Sequence, residues 1–373
     1  MTILLLLAIG FSGLSLTVHL VSHVMALGRL RLKPLIVSQA TWPEVTLVRP
    51  LRGVEPFSEE TLAASFQLTY PSYEILFCVA QETDPVVPLV RAAMQRHQHV
   101  RARLLIGEDA RFQNPKLDNM AKGYREAQGA YVVFTDSNLL VPEDYLQRVI
   151  CAFTADAGVV SAPPFGAEPG TFAADVECAI LNSYAARVQY CVDYLGFGFA
   201  QGKTLAFRKS DLDAGGFLAM DDEPAEDAAA TKWARRNRRK VRLVRPAFPQ
   251  PLGARSLNAV WSRHLRWARL RRATFPLLFA PEILSLSPVP LAAVAAATIL
   301  SGAPSAPWMA AYALVWYGAD YATSRLLGWP ASLHRLLALP VRDFLLLAIW
   351  CGAWTGRSFT WHGHKMNASQ AGG

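Results

Sequence analysis

Tyr131-Val132-Val133-Phe134-Thr135-Asp136-Ser137-Asn138 is the stretch on which the fold turns. Residues 131–134 are aromatic or β-branched and favour a strand, whereas Asp, Ser and Asn favour a loop. A short apolar run that ends in an acidic loop reads as a buried strand of an α/β sheet. In such sheets ligands bind beyond the carboxyl ends of the strands. Working outward, 45–48, 74–79 and 103–106 are further strand-like runs, and 86–96 and 116–127 read as helices between them. This alternation predicts a mainly parallel sheet covered by helices, in a domain over 34–255. The loops after Val48, Val79 and Phe134 are where chemistry is expected.

The flanks differ from this middle. Hydrophobic residues make up 52% of the 373 and charged residues only 18%, where a soluble domain carries about 25%. The deficit sits at the ends. Residues 3–27 hold no Asp, Glu, Lys or Arg, and at about 1.5 Å per residue such a run crosses a hydrocarbon core. Arg29, Arg31 and Lys33 follow at once, so residues 1–30 read as a retained anchor with the next segment in the cytoplasm. After a basic, aromatic segment at 256–276, the chain turns apolar again over 277–356, with 281–302, 307–321 and 337–354 as spans or part-spans, before a tail at 357–373. Arg342 and Asp343 lie in the third, which is costly in lipid unless they pair. The expected location is an integral, multi-pass protein of a bacterial inner membrane, with its catalytic domain in the cytoplasm.

The net charge of +8 admits nucleic acid, an anionic membrane surface or an anionic substrate. No zinc-finger spacing or RNA-binding motif is present, so nucleic acid is not an expected partner. The five cysteines form no CxxC pair and read as buried thiols in a reducing compartment.

Three acidic clusters stand out: the loop 81–85 with Asp84, the loop 135–138 with Asp136, and 221–227 ending in Glu226-Asp227. Transfer from a sugar diphosphate needs a cation held by oxygen ligands to neutralise the departing diphosphate. It also needs a base for the acceptor's proton. The bland reading of any one such Asp is a turn or helix cap. Within 261–272, Arg263, Arg266 and Arg269 fall on one helix face with Trp267 beside them. Guanidinium forks suit phosphate oxygens, though an interfacial helix touching anionic lipid has the same pattern.

Together these residues resemble the ceramide glucosyltransferase family, glycosyltransferase family 21, a relative of the processive family 2. Val45-Thr46-Leu47-Val48-Arg49-Pro50-Leu51-Arg52-Gly53 resembles its first strand and following loop. Asn114-Pro115-Lys116 with Asn119, Asp136-Ser137, Glu226-Asp227, Arg263-x-x-Arg266-Trp267 and the tail Thr360-Trp361-His362-Gly363 match its further motifs in order. The resemblance implies a GT-A type, Rossmann-like mixed sheet between N- and C-terminal transmembrane helices. It implies donor contacts from Arg49, Glu55, Asp84, Lys116, Asp136, Arg263, Arg266 and Trp267, with Asp84 at the uridine. Asp136 and Asn138 would hold Mg2+ or Mn2+, and Asp227 would be the general base of a single inverting displacement. Asn138 stands where many sugar transferases place a second Asp, so one charge fewer reaches the cation. Gly202-Lys203 is expected to border the acceptor site.

The function so implied is transfer of one sugar, glucose or a related one, from a UDP-sugar to a lipid hydroxyl such as that of ceramide or diacylglycerol. The alternatives are a hopanoid-associated N-acetylglucosaminyltransferase, a processive polysaccharide synthase, for which few spans remain to build a polymer channel, and a non-catalytic membrane scaffold.

Overall fold

The computed structural model describes residues 1–32, 41–108, 111–112 and 114–356, with backbone alone for 358–361 and 364–367. The chain divides into two compact units. One, the sheet unit, is built from Leu30–Phe165 and Val192–Gly253. The other, the helical unit, gathers Met1–Arg29, Gly166–Cys191 and Ala254–Gln370.

Up to Gly253 the strands are β1 (Val45–Pro50), β2 (Tyr73–Val79), β3 (Arg101–Ile106), β4 (Tyr131–Thr135), β5 (Ala157–Ser161), β6 (Pro164–Pro169), β7 (Thr204–Arg208), β8 (Lys240–Leu243) and β9 (Phe248–Gly253). Seven form one sheet in the order β3-β2-β1-β4-β7-β5-β8. The first four are mutually parallel, with Val45 opposite both Tyr73 and Tyr131. β7 runs antiparallel between β4 and β5, which makes the sheet mixed. Strands β1, β4 and β5 are buried along almost their whole length, as expected where both faces are covered. The principal core joins Val45, Leu47, Ile75, Phe77 and Val133 to Val86, Val87 and Val90 of the helix Val86–Arg96. That helix has the bounds its sequence predicts.

The helix Pro115–Glu126 starts where local chemistry dictates. Asn114 Oδ1 accepts the Lys116 N–H at 3.0 Å, and Pro115 occupies the first turn, where its missing N–H costs nothing. The helix lies against the sheet at Gly123, where a Cβ would stand 2.3 Å from Val48 Cγ1. That close approach carries Lys116 to the carboxyl ends of the strands.

In the helical unit, Thr2–Leu30 is a 29-residue helix whose Ile3, Leu4, Leu6, Leu7 and Leu14 are exposed. By length and composition, Thr2–Leu30 and Leu333–Trp354 are each fit to cross a membrane. A third candidate is the pair Pro276–Ser285 and Pro288–Ser301, bent by 51°. The expected span at 307–321 lies inside a longer helix, Ser305–Leu326, in which Asp320 is buried. Arg342 and Asp343 do pair: Arg342 Nε donates to Asp343 Oδ1 at 2.8 Å and Nη2 to Asp320 Oδ2 at 3.0 Å. His362 and Gly363 of the tail motif lie outside the described residues.

Candidate active site

The loop after β4 brings Asp136 to the carboxyl end of the sheet. Its backbone N–H donates to the Lys203 carbonyl, immediately before β7. Two ammonium groups reach its carboxylate. Lys116 Nζ lies 2.6 Å from Oδ1, and Lys203 Nζ lies 2.9 Å from Oδ2. Burial alone would raise the Asp136 pKa, but these two lysines hold it well below the usual carboxylate range. Lys203 Nζ also donates to Asn138 Oδ1 at 2.8 Å. The Asp136 and Asn138 oxygens thus converge on one cationic atom. An ammonium thus lies between two oxygens of the kind that hold a cation.

Lys116 extends the cluster to a second acidic segment. Nζ lies 2.6 Å from Glu226 Oε1 and donates to the Gly202 carbonyl at 3.0 Å. Asp136 and Glu226 push its pKa upward despite burial. Asn114 Nδ2 donates to Glu226 Oε2 at 3.0 Å, so the helix-capping Asn also fixes the residue before Asp227. Asn119 Nδ2 donates to the Leu51 carbonyl at 3.4 Å, tying the same helix to the loop after β1. The spacing of Asn114, Lys116 and Asn119 therefore has a mechanical reading: one cap, one ion pair, one loop clasp.

Asp227 opens the helix Glu226–Arg236 and remains partly accessible. Its Oδ2 accepts the Gly202 N–H at 2.9 Å and its Oδ1 the Ala228 N–H at 2.8 Å. Burial and the Glu226 carboxylate push its pKa up to about 6, against Lys116 and the two N–H groups. A carboxyl so tuned is ionised at neutral pH and basic enough to take a proton.

The remaining expected donor residues divide by what they touch. Asp84 accepts the Gly53 N–H on both oxygens, at 2.9 and 3.0 Å, and the Val86 N–H on Oδ1 at 2.9 Å. It joins the loops after β1 and β2 and caps the following helix. Glu55 accepts from Asn138 Nδ2 at 3.1 and 3.2 Å, which turns the Asn138 oxygen toward Lys203. Arg49 is fully buried, with Nη1 on Ser65 Oγ at 2.9 Å and Nη2 on the Ser137 carbonyl at 3.0 Å. Burial lowers its pKa to about 10. Arg49 thus shapes the loop 135–138 from beneath.

Arg263, Arg266 and Trp267 belong to the helical unit, on the helix Leu257–Thr274, which Ser256 caps by accepting the Ala259 N–H. Arg263 Nη1 donates to the buried Glu177 Oε1 at 2.7 Å. Burial would raise Glu177, but His264, Arg263 and Arg255 bring it down to about 2. The His264 and Trp267 rings meet edge to face, 5.0 Å apart. Burial lowers Arg266 to about 10.

Sequence reasoning missed the reach of Lys203. Expected beside the acceptor, it contacts both Asp136 and Asn138. The available signal was a basic residue flanking a strand that must lie beside β4, a neighbour no local pattern reveals. Gly202, expected with Lys203 to border the acceptor site, is closely packed as well: a Cβ there would stand 2.8 Å from Glu226 Oε1 and 3.3 Å from Lys116 Nζ.

Ceramide glucosyltransferase 1 of Caenorhabditis elegans is 26% identical over 286 residues, covering 73% of this chain and 61% of the relative. Ceramide glucosyltransferase 3 of the same organism is 24% identical over 306 residues, covering 80% and 66%. The chain therefore spans less than two thirds of the length of these relatives. The ceramide glucosyltransferase of Komagataella phaffii is 37% identical over 112 residues, 29% of this chain and 22% of that one. Among solved structures, a mannosyltransferase of Pyrobaculum calidifontis in complex with GDP-Man and Mn2+ has the same GT-A fold, with a TM-score of 0.56 at 20% identity over 91% of this chain and 99% of that one. The model of glycosyl transferase family 21 matches residues 14–373. With the mixed sheet and the ordered motifs, that match shows that the chain belongs to glycosyl transferase family 21.

Proposed function

We propose that this protein is a membrane-associated enzyme that transfers one sugar from a UDP-sugar to a lipid hydroxyl, with inversion and with the help of a divalent cation. The observation that carries the reading is the juxtaposition around Lys116. One ammonium joins Asp136, at the end of β4, to Glu226, the residue before a carboxyl whose pKa is about 6. Anion neutralisation and a proton acceptor are the two requirements of the reaction.

Asp136 and Asn138 are the residues that would hold Mg2+ or Mn2+, which supplies Lewis-acid stabilisation of the departing diphosphate. Lys116 and Lys203 add positive charge beside it. Asp84 lies in the loop after β2 and takes the uridine role that the family resemblance implies; Glu55 orients Asn138, and Arg49 supports the loop. Asp227 takes the acceptor hydroxyl's proton as that oxygen attacks the anomeric carbon. Arg263, Arg266 and Trp267 keep the diphosphate role that their Arg-x-x-Arg-Trp pattern carries. Glucose and ceramide are favoured because the matched relatives are named ceramide glucosyltransferases. The two long apolar helices support an integral membrane location, with residues 34–255 as the cytoplasmic catalytic region and 256–276 at the interface.

Lipid mass spectrometry of a host expressing the chain, with and without Asp227→Asn, tests the reading. The expected result is one hexose added to one lipid class by the parent and not by the variant. An N-acetylhexosamine adduct would move the assignment to the hopanoid-type alternative. A long polymer would indicate a processive synthase, and equal lipid profiles would leave only a scaffold.

A further inference from the structure

A second polar centre lies in the helical unit, buried and unused by the chemistry above. His19 and His23 sit one helical turn apart on Thr2–Leu30, and Asp320 lies on Ser305–Leu326. All three side chains are buried. His23 Nε2 is 3.2 Å from His19 Nε2 and 3.1 Å from Asp320 Oδ1, and His19 Nε2 is 3.9 Å from the same oxygen. Those separations place a single point about 2.0 Å from all three atoms, the length of a zinc–imidazole or zinc–carboxylate bond.

We propose that His19, His23 and Asp320 bind a first-row transition dication, with zinc the best chemical fit. Two neutral imidazoles and one carboxylate suit that borderline ion, and histidines at i and i+4 chelate from one helix face. Asp320 Oδ1 is buried with the His23 ring nitrogen 3.1 Å away, and a cation between them would engage this carboxylate oxygen more fully than one imidazole does. The outer contacts are those of a metal site. His23 Nδ1 is 2.7 Å from Thr323 Oγ1, which fixes the ring and leaves Nε2 for the ion. Asp320 Oδ2 accepts from Arg342, whose charge Asp343 balances, so the Asp320 charge remains for the cation. Arg187, which donates to Ser22, acts against the ion and lowers its affinity.

The competing arrangement has no metal. In it, His19 donates Nε2–H to the Trp316 carbonyl, 3.1 Å away, and His23 donates to Asp320. That arrangement also joins the two helices, but it binds no ion. The distinction matters because apolar burial does not drive helices together in lipid, so their association depends on packing and polar contacts.

The test is metal analysis of the full chain, purified in detergent without a polyhistidine tag and freed of loose ions. The expected content is about one zinc per chain, falling below about a tenth in His19→Gln/His23→Gln. The cobalt-loaded protein should show the strong visible bands of a low-coordinate His/carboxylate site. Thr323→Val removes only an outer contact and should weaken zinc retention against a chelator about 10- to 100-fold in a folded protein. Asp136→Asn should leave the zinc content unchanged, which separates this centre from the donor-site cation. A zinc-free parent that also fails to take up added zinc would overturn the proposal, as would equal zinc in the double-histidine variant.

Discussion

Lys203 Nζ lies 2.9 Å from Asp136 Oδ2 and 2.8 Å from Asn138 Oδ1, so the oxygens proposed to hold a divalent cation are engaged by a side chain of the same protein. A dication at Asp136 must displace this ammonium or repel it at short range. Cation binding should therefore be weak without donor and strengthen with the diphosphate, which gives Lys203 a new anionic partner. Lys203→Met is expected to tighten Mn2+ binding to the donor-free protein by about tenfold or more, as read by electron paramagnetic resonance of free Mn2+. Unchanged Mn2+ affinity would show that the ammonium and the cation do not compete.

Asp227 is expected to set the acidic limb of the pH profile. Burial and Glu226 raise its pKa to about 6, and a base acts only when unprotonated. Turnover should rise with pH through about 6 and then level off. Asp227→Asn should lower kcat by about 10²- to 10⁴-fold while the donor Kd changes little, by steady-state kinetics and calorimetric titration. An acidic limb retained at the same pH in a residually active variant would assign it to another group.

Gly202→Ala probes the close approach beside the base. The added methyl would stand 2.8 Å from Glu226 Oε1 and 3.5 Å from Asp227 Oδ2. Crowding of this kind typically costs about 1–3 kcal/mol. The clash falls on the Lys116–Glu226 pair, so activity should drop more than thermal stability does. The check is kcat beside the melting midpoint. A variant with full activity and a lowered midpoint would place the strain elsewhere.

Arg49→Met replaces a buried guanidinium of similar length with an apolar chain. It leaves the Ser137 carbonyl and Ser65 Oγ without their donor. Each such loss costs about 1–3 kcal/mol. A lower melting midpoint is expected, with weaker donor binding as the loop 135–138 loosens. If the midpoint holds and only donor affinity falls, Arg49 touches the donor directly.

The first four strands of the sheet were legible because each is a short apolar run ended by turn-forming residues. The helix Val86–Arg96 was equally plain, since its apolar residues repeat at helical spacing. Asp136 was legible as a strand-end carboxylate. The antiparallel β7 was not, because strand direction depends on pairing across the sheet rather than on local composition. Without that pairing, the contact of Lys203 with Asp136 could not be read. The grouping of Gly166–Cys191 with both ends of the chain was hidden too, since Asn182 and Arg187 differ little in kind from polar residues of the sheet unit. Asp320 falls near the end of the apolar run 307–321, with nothing local to mark it. Its partners His19 and His23 lie about 300 positions away, beyond any local periodicity.

The ion network of Arg342, Asp343 and Asp320 bears on how the chain is made. A lone Arg or Asp at the middle of an inserting helix costs about 2.5–3.5 kcal/mol on insertion scales. Residues 338–354 carry one of each, and the second acceptor for Arg342 arrives on the preceding helix. With the membrane location proposed above, Leu333–Trp354 should therefore insert less readily in a chain that lacks Ser305–Leu326, the helix whose Asp320 supplies the counter-ion.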